Sequence, residues 1–179
     1  MSVFTNPASS SKANAQAYIA AILGLLDDKE PLSVLSKTHA ALKKSIAGVS
    51  PAKLKKREAP GKWSIAQVLQ HLADSDLVWG WRVRLILSHD RPAITGYDQD
   101  LWAGRLDYEH ADAKQALADF ASLRASNLRL LKKATPADLD RFGIHAERGE
   151  ESVGHLIRLY AGHDLLHLNQ IARIRRAVG

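Results

Sequence analysis

The stretch SIAQVLQHLADSDLVWGWRVRLIL, beginning at Ser64, constrains the fold most. Ser64 and Gln67 have capping-box spacing, in which each side chain satisfies a backbone N–H at a helix start. Beyond that start, Ile65, Val68, Leu69, Leu72, Trp79 and Val83 recur on one side of a 3.6-residue helix, so the spacing predicts an amphipathic helix to about Ser88. Ala15 to Leu26 reads as a short apolar helix. Pro31 opens a longer one that ends near Gly48, with Pro at the start and Gly past the end. A third long helix begins at Asp107 or a neighbour and includes ADAKQALADFASLRASNLRLLKK, and a fourth runs from Ser152 almost to the C-terminus. Ser50-Pro51 and Thr135-Pro136 each pair a capping residue with a proline at the first helical position, and each precedes a Ser-started, histidine-bearing helix.

These signals predict an all-α chain: a four-helix bundle with long crossover connections and short accessory helices. Ala and Leu dominate over β-branched residues, and no segment shows strand alternation. The connections RPAITGYDQDLWAGRLDY and that before Ser152 are longer than simple helical hairpins need. Residues 1–14 are expected to be a mobile polar segment and residues 15–179 a single helical-bundle domain.

Composition narrows the chemistry. The 179 residues include no cysteine, which excludes disulfides, cysteine nucleophiles and thiolate metal sites. Any metal must be held by His, Asp or Glu. No apolar run is long enough to span a bilayer and no signal peptide opens the chain, so the expected location is cytoplasmic, with no membrane partner. The net charge of +6 raises the question of nucleic acid. The basic stretches LKKREAPGK and ARIRRAVG lack interleaved aromatics, so they read as solvated faces and argue against a nucleic-acid partner.

Near the C-terminus, HDLLHLNQI places His163 and His167 four residues apart. On a helix they lie about 40° apart around the axis and about 6 Å along it. Leu156, Tyr160, Ile171 and Ile174 share their side, so the pair points inward, while His155 falls on the polar side. Two core histidines with ordinary hydrogen-bond partners and a metal-binding pair both fit this pattern. A zinc-protease reading fails on Asp164, which is shorter than the glutamate that would act as base, and on the absence of a ligand downstream. A third ligand must come from upstream, and His71, at the border of the stripe described above, is the best candidate. Asp76 lies near the centre of that stripe, where an arginine partner or a place beside a metal would explain a buried carboxylate.

The segments GKWSIAQVLQHLADSD, ITGYDQDLWA and GIHAERGEESVGHLIRLYAGHDLLHLNQI resemble the DinB-like superfamily of four-helix-bundle metalloproteins, including its YfiT-type metal-dependent hydrolases. The resemblance runs from about Pro31 to Ile174. It implies that His71, His163 and His167 bind one divalent metal, commonly zinc or nickel. Three histidines leave a coordination position open, suited to metal-activated water and hydrolysis of a small molecule. The same position suits a thiol, which in a cysteine-free chain must be an external cosubstrate; related branches are thiol-dependent transferases. A non-catalytic metal- or ligand-binding protein is the reading from another class. Asp74 and Gln170 stand one turn from His71 and His167 and are candidates to orient the imidazoles. Asp76, Asp100 and Trp102 are candidates to line the pocket. No residue is assigned as general base. Trp81, on the outer face of its helix, suggests a homodimer.

Overall fold

Each long helix whose start is fully described opens on a side chain that takes up N–H groups its first turn cannot satisfy. The computed structural model describes residues 12–179. Helix α1 spans Lys12–Leu26, and α2, Pro31–Ile46, is capped by Glu30. The short α3, Pro51–Lys55, follows the Ser50 cap, and α4, Ile65–Ser88, opens on the reciprocal Ser64–Gln67 box. Helix α5 is Gln99–Arg105, α6 Ala113–Leu131, α7 Pro136–Asp140 and α8 Val153–Val178, capped by Asp98, Asp112, Thr135 and Ser152 respectively. Of the N-terminal segment expected to be mobile, residues 1–11 lie outside the described residues, and α1 begins before Ala15. The third long helix starts at Asp112 and not Asp107, which adopts the left-handed conformation (φ 55°) ahead of a 3-10 turn.

The four-helix bundle is built from α2, α4, α6 and α8, with α1 packed on α8. Around the bundle the neighbours are α2–α8, α8–α4, α4–α6 and α6–α2, so the connections α2→α4 and α6→α8 both cross the diagonal. Those are the two connections that carry the Ser-Pro and Thr-Pro helices α3 and α7. Two apolar clusters give the helix directions. One gathers Leu42, Leu69, Phe120 and Ile171 and the other Leu35, Trp79, Leu131 and Leu156. Chain order between the clusters shows α4 and α6 running the same way, and α2 and α8 running together against them. The α4→α6 connection is therefore long because parallel neighbours require a return along the bundle, not because it crosses the diagonal.

A small three-stranded sheet also forms, which the sequence pattern did not announce. Strand β1, Ala93–Ile94, pairs parallel with β2, Phe142–His145, which pairs antiparallel with β3, Gly149–Ser152. Strands of two to four residues are too short to display alternation.

Between the apolar clusters lies a buried polar layer to which every bundle helix contributes: Thr38, Ser75 with Asp76, Arg124 with Asn127, and Asp164 with His167. Arg124 is its hub. Its guanidinium donates to Asp76 (Nη2–Oδ2 2.7 Å), to Asp164 (Nη1–Oδ2 2.6 Å) and to the Leu35 carbonyl of α2 (2.9 Å). Asn127 adds bonds to the Asp76 carboxylate and carbonyl. Asp76 thus has the arginine partner, and it lines neither of the cavities that border the histidines. Two glycines permit the close approaches around this layer: a Cβ on Gly80 would strike Asn127, and one on Gly162 would strike the Ile22 carbonyl of α1.

Removing one member of such a cluster leaves charge buried without a partner. Arg124→Met is expected to destabilise the protein by about 3–5 kcal/mol. Replacing all three charges together (Arg124→Met, Asp76→Leu, Asp164→Leu) should recover much of that loss. Urea denaturation of the two variants against the parent tests both expectations.

Candidate metal centre

Helices α4 and α8 run antiparallel and in contact, which places the second turn of α4 beside the middle of α8. His71 comes from the former; His163 and His167 come from the latter. Their Nε2 atoms converge: His163 Nε2 stands 3.2 Å from His71 Nε2 and 3.0 Å from His167 Nε2. The three rings form a group whose candidate ligand atoms all lie within 4.8 Å of one another. Among the described residues it is the one such group of three or more potential ligands.

The protonation chemistry is set by burial. Desolvation, with the neighbouring imidazoles adding to it, holds His71 and His163 well below the ordinary histidine value. Burial brings His167 to about 4, although Gln170 and Asp164 pull the other way. All three are therefore neutral near pH 7. Gln170 Oε1 accepts from His167 Nδ1 at 2.7 Å, which puts the proton on Nδ1 and leaves the Nε2 lone pair facing the group. Nitrogens about 2.0–2.1 Å from a tetrahedral zinc ion stand about 3.3–3.4 Å apart, so the 3.2 Å and 3.0 Å separations from His163 Nε2 are close to those of ligands on one divalent ion. The Nδ1 atoms of His71 and His163 are buried and find no partner among the described residues.

Asp74 does not supply one. Its carboxylate accepts from Tyr108 Oη at 2.5 Å and from Gln70 at 3.4 Å, so it steadies the return connection instead of orienting His71. His71 is backed by Trp63, with ring centres 5.1 Å apart, and by Ser75, whose Oγ lies 3.4 Å from Nε2 and 3.2 Å from Tyr97 Oη. Asp164, the second residue of the His-Asp-x-x-His run, is committed to Arg124.

Two cavities border the histidines. A cavity of about 110 Å³ reaches His163 and is lined also by Ser75, Tyr97, Tyr160, Arg82 and Arg148. A larger groove of about 460 Å³ reaches His167 and includes Gln170, Trp63, Gln99 and Asp100. Of the three pocket residues read from the sequence, Asp100 lines this groove. Trp102 lines neither cavity and packs on Tyr97 with ring centres 4.7 Å apart. Tyr160 was read from the sequence only as part of the inward face of α8, and Arg82, Arg124 and Arg148 were not singled out. The one available signal was that Arg82 follows Trp79 by three residues and so shares its buried face.

The chain and its fold have relatives. The model of the DinB superfamily matches residues 35–171, and the chain belongs to that superfamily. It is 31% identical over 133 residues to a protein of Oceanobacillus iheyensis named a "Putative metal-dependent hydrolase", covering 74% of this chain and 77% of the other. It is 29% identical over 149 residues to Bacillus subtilis "Putative metal-dependent hydrolase YfiT", covering 83% and 84%. The solved structure of YfiT, described as having an unusual four-helix bundle topology, superposes with a TM-score of 0.75 at 26% identity, over 97% of this chain and 92% of that one.

The depressed histidines make stability depend on pH. Between the ordinary value of 6.5 and about 4 the unfolded chain binds protons that folded His167 refuses, so stability rises with pH across that window. Chelator-treated protein is expected to show a constant Tm above about pH 7 and a falling Tm from 6.5 toward 4, measured by circular dichroism.

Proposed function

We propose that His71, His163 and His167 hold one divalent metal, zinc or nickel, and that the protein is a metal-dependent hydrolase of a small molecule. The observation that carries this reading is the convergence of three neutral Nε2 atoms beside a cavity. The names of the relatives point the same way. A bound divalent ion supplies Lewis acidity and lowers the pKa of a ligated water or thiol. The chain's own residues set the surroundings. Gln170 holds the His167 tautomer, Ser75 and Tyr97 present hydroxyls next to His71, and Ile19, Leu156 and Leu159 keep one wall of the cavity apolar. The buried carboxylates are engaged elsewhere, Asp76 and Asp164 by Arg124 and Glu151 by Arg148, so none of them is placed as general base.

A second reading, transfer of an external thiol, is favoured by one observation: the histidines border two separate cavities, so a thiol and an electrophile have distinct approaches. Hydrolysis predicts thiol-independent turnover of small esters or amides, lost on chelation and restored by metal. Transfer predicts conjugation only when thiol is added.

The metal reading is tested by content. His71→Ala, His163→Ala and His167→Ala are each expected to lose metal with helical circular dichroism retained, and His155→Ala to keep it. Gln170→Leu should weaken affinity by about 10–100-fold, as loss of an orienting hydrogen bond does elsewhere. Stoichiometric, tight metal in His71→Ala, measured by mass spectrometry on tag-free protein, would refute the three-histidine site.

We propose also that the chain forms a homodimer through the outer face of α4, where Leu77 and Trp81, one turn apart, are 51% and 63% exposed. Light scattering is expected to give twice the chain mass; a monomer at every concentration removes this proposal.

A further inference from the structure

Three arginines in or beside the core show how this protein treats buried guanidinium groups. Arg124 is matched by two aspartates and Arg148 by Glu151, through bonds of 2.6 Å and 2.9 Å. Arg82 is different. It is only 5% exposed, yet its guanidinium makes one hydrogen bond, from Nη2 to the Thr95 carbonyl at 2.9 Å, and no carboxylate lies within ion-pair distance among the described residues. Its Nε is buried with no partner among the described residues. Removing a guanidinium from water costs several kcal/mol unless an anion compensates it.

Arg82 lines the same cavity as His163. The sheet holds it there, since the parallel pairing of β1 with β2 brings the Thr95 carbonyl, just beyond β1, and His145 to that side. The charge count around it is simple. Arg148 is cancelled by Glu151, and burial, with Arg148 nearby, lowers His145 to about 4, so His145 is neutral. Glu147 lies at the rim, exposed to solvent and paired with neither arginine, so water screens it. One buried positive charge with no ion pair among the described residues faces a cavity lined also by the phenol rings of Tyr97 and Tyr160, by Ile19 and Leu156, and by the polar side chains of Ser75 and Gln99.

We infer that Arg82 anchors a carboxylate subsite, so that the substrate is a small molecule with an apolar or aromatic body and a free carboxylate held apart from the group presented to the histidines. A guanidinium edge matches a carboxylate in a planar, two-bond geometry. A single uncompensated charge suits a monoanion better than a phosphate dianion. The cavity volume of about 110 Å³ is on the scale of a small molecule. The inference rests on the reading of this cavity as the substrate site, but anion binding is separable from metal binding.

The probe is 3-phenylpropionate, compared with the uncharged 3-phenylpropanamide and with inorganic phosphate, titrated into full-length protein before and after chelation, with metal content recorded in each sample. The acid is expected to bind at least about tenfold more tightly than the amide, as charge-assisted bonds do, and Arg82→Met to abolish that preference. In ¹⁵N spectra of the parent protein the Arg82 Nε–H resonance should move with the acid, a readout that does not depend on the variant folding. Persistence of these effects in metal-free protein, or in a protein found to bind no metal at all, upholds the carboxylate subsite whatever becomes of the hydrolase reading. Equal binding of acid and amide, an unmoved Arg82 resonance, an unchanged preference in Arg82→Met, or tighter binding of phosphate at Arg82 would each overturn it.

Discussion

The bonds of Arg124 to Asp76, Asp164 and Leu35 set the level at which four helices meet. Apolar contacts are non-directional and tolerate sliding of one helix along another, whereas a guanidinium fork fixes both distance and direction. Asp164 lies between His163 and His167 on α8, and Asp76 follows Ser75 on α4. Once both carboxylates reach the same arginine, the histidines of α8 and His71 of α4 stand at one height. Buried ion clusters contribute little net stability compared with apolar packing. What this one supplies is register.

The same layer links the two sides of the site. Arg124 lies over the rings of Phe120 and Trp79, 4.6 Å and 5.6 Å from their centres, and Trp79 stacks on Tyr160, whose ring is 5.9 Å from that of His163. Tyr160 in turn forms part of the cavity wall. The cavity is therefore backed by packed aromatic groups and not by loops alone, which limits how far a bound molecule can displace it.

Helix direction matters as much as helix packing. Because α4 and α6 run the same way, the chain must return along the bundle between them, and that return carries Tyr97, Gln99 and Asp100 past the histidines. Glycine at 162 lets α1 settle on α8 next to His163, so Tyr18, Ile19 and Ile22 complete the cavity. A bundle of simple hairpins would leave the same three histidines more open to water.

Sequence alone determined what depends on neighbours within a turn or two. The Ser64–Gln67 box, the Ser50 and Thr135 caps, the apolar stripes of the long helices and the inward face of His163 and His167 are all local consequences of helical geometry. The absence of cysteine narrowed the possible ligands in the same direct way. Only the tertiary structure decided that Asp76 faces Arg124, that Asp74 serves Tyr108 in place of His71, that Trp102 stays out of both cavities, and that three short strands place Arg82 beside His145. Each joins residues far apart in the chain. Their pairing is selected by helix direction and by the cost of burying an uncompensated charge, neither of which leaves a periodic mark in the sequence.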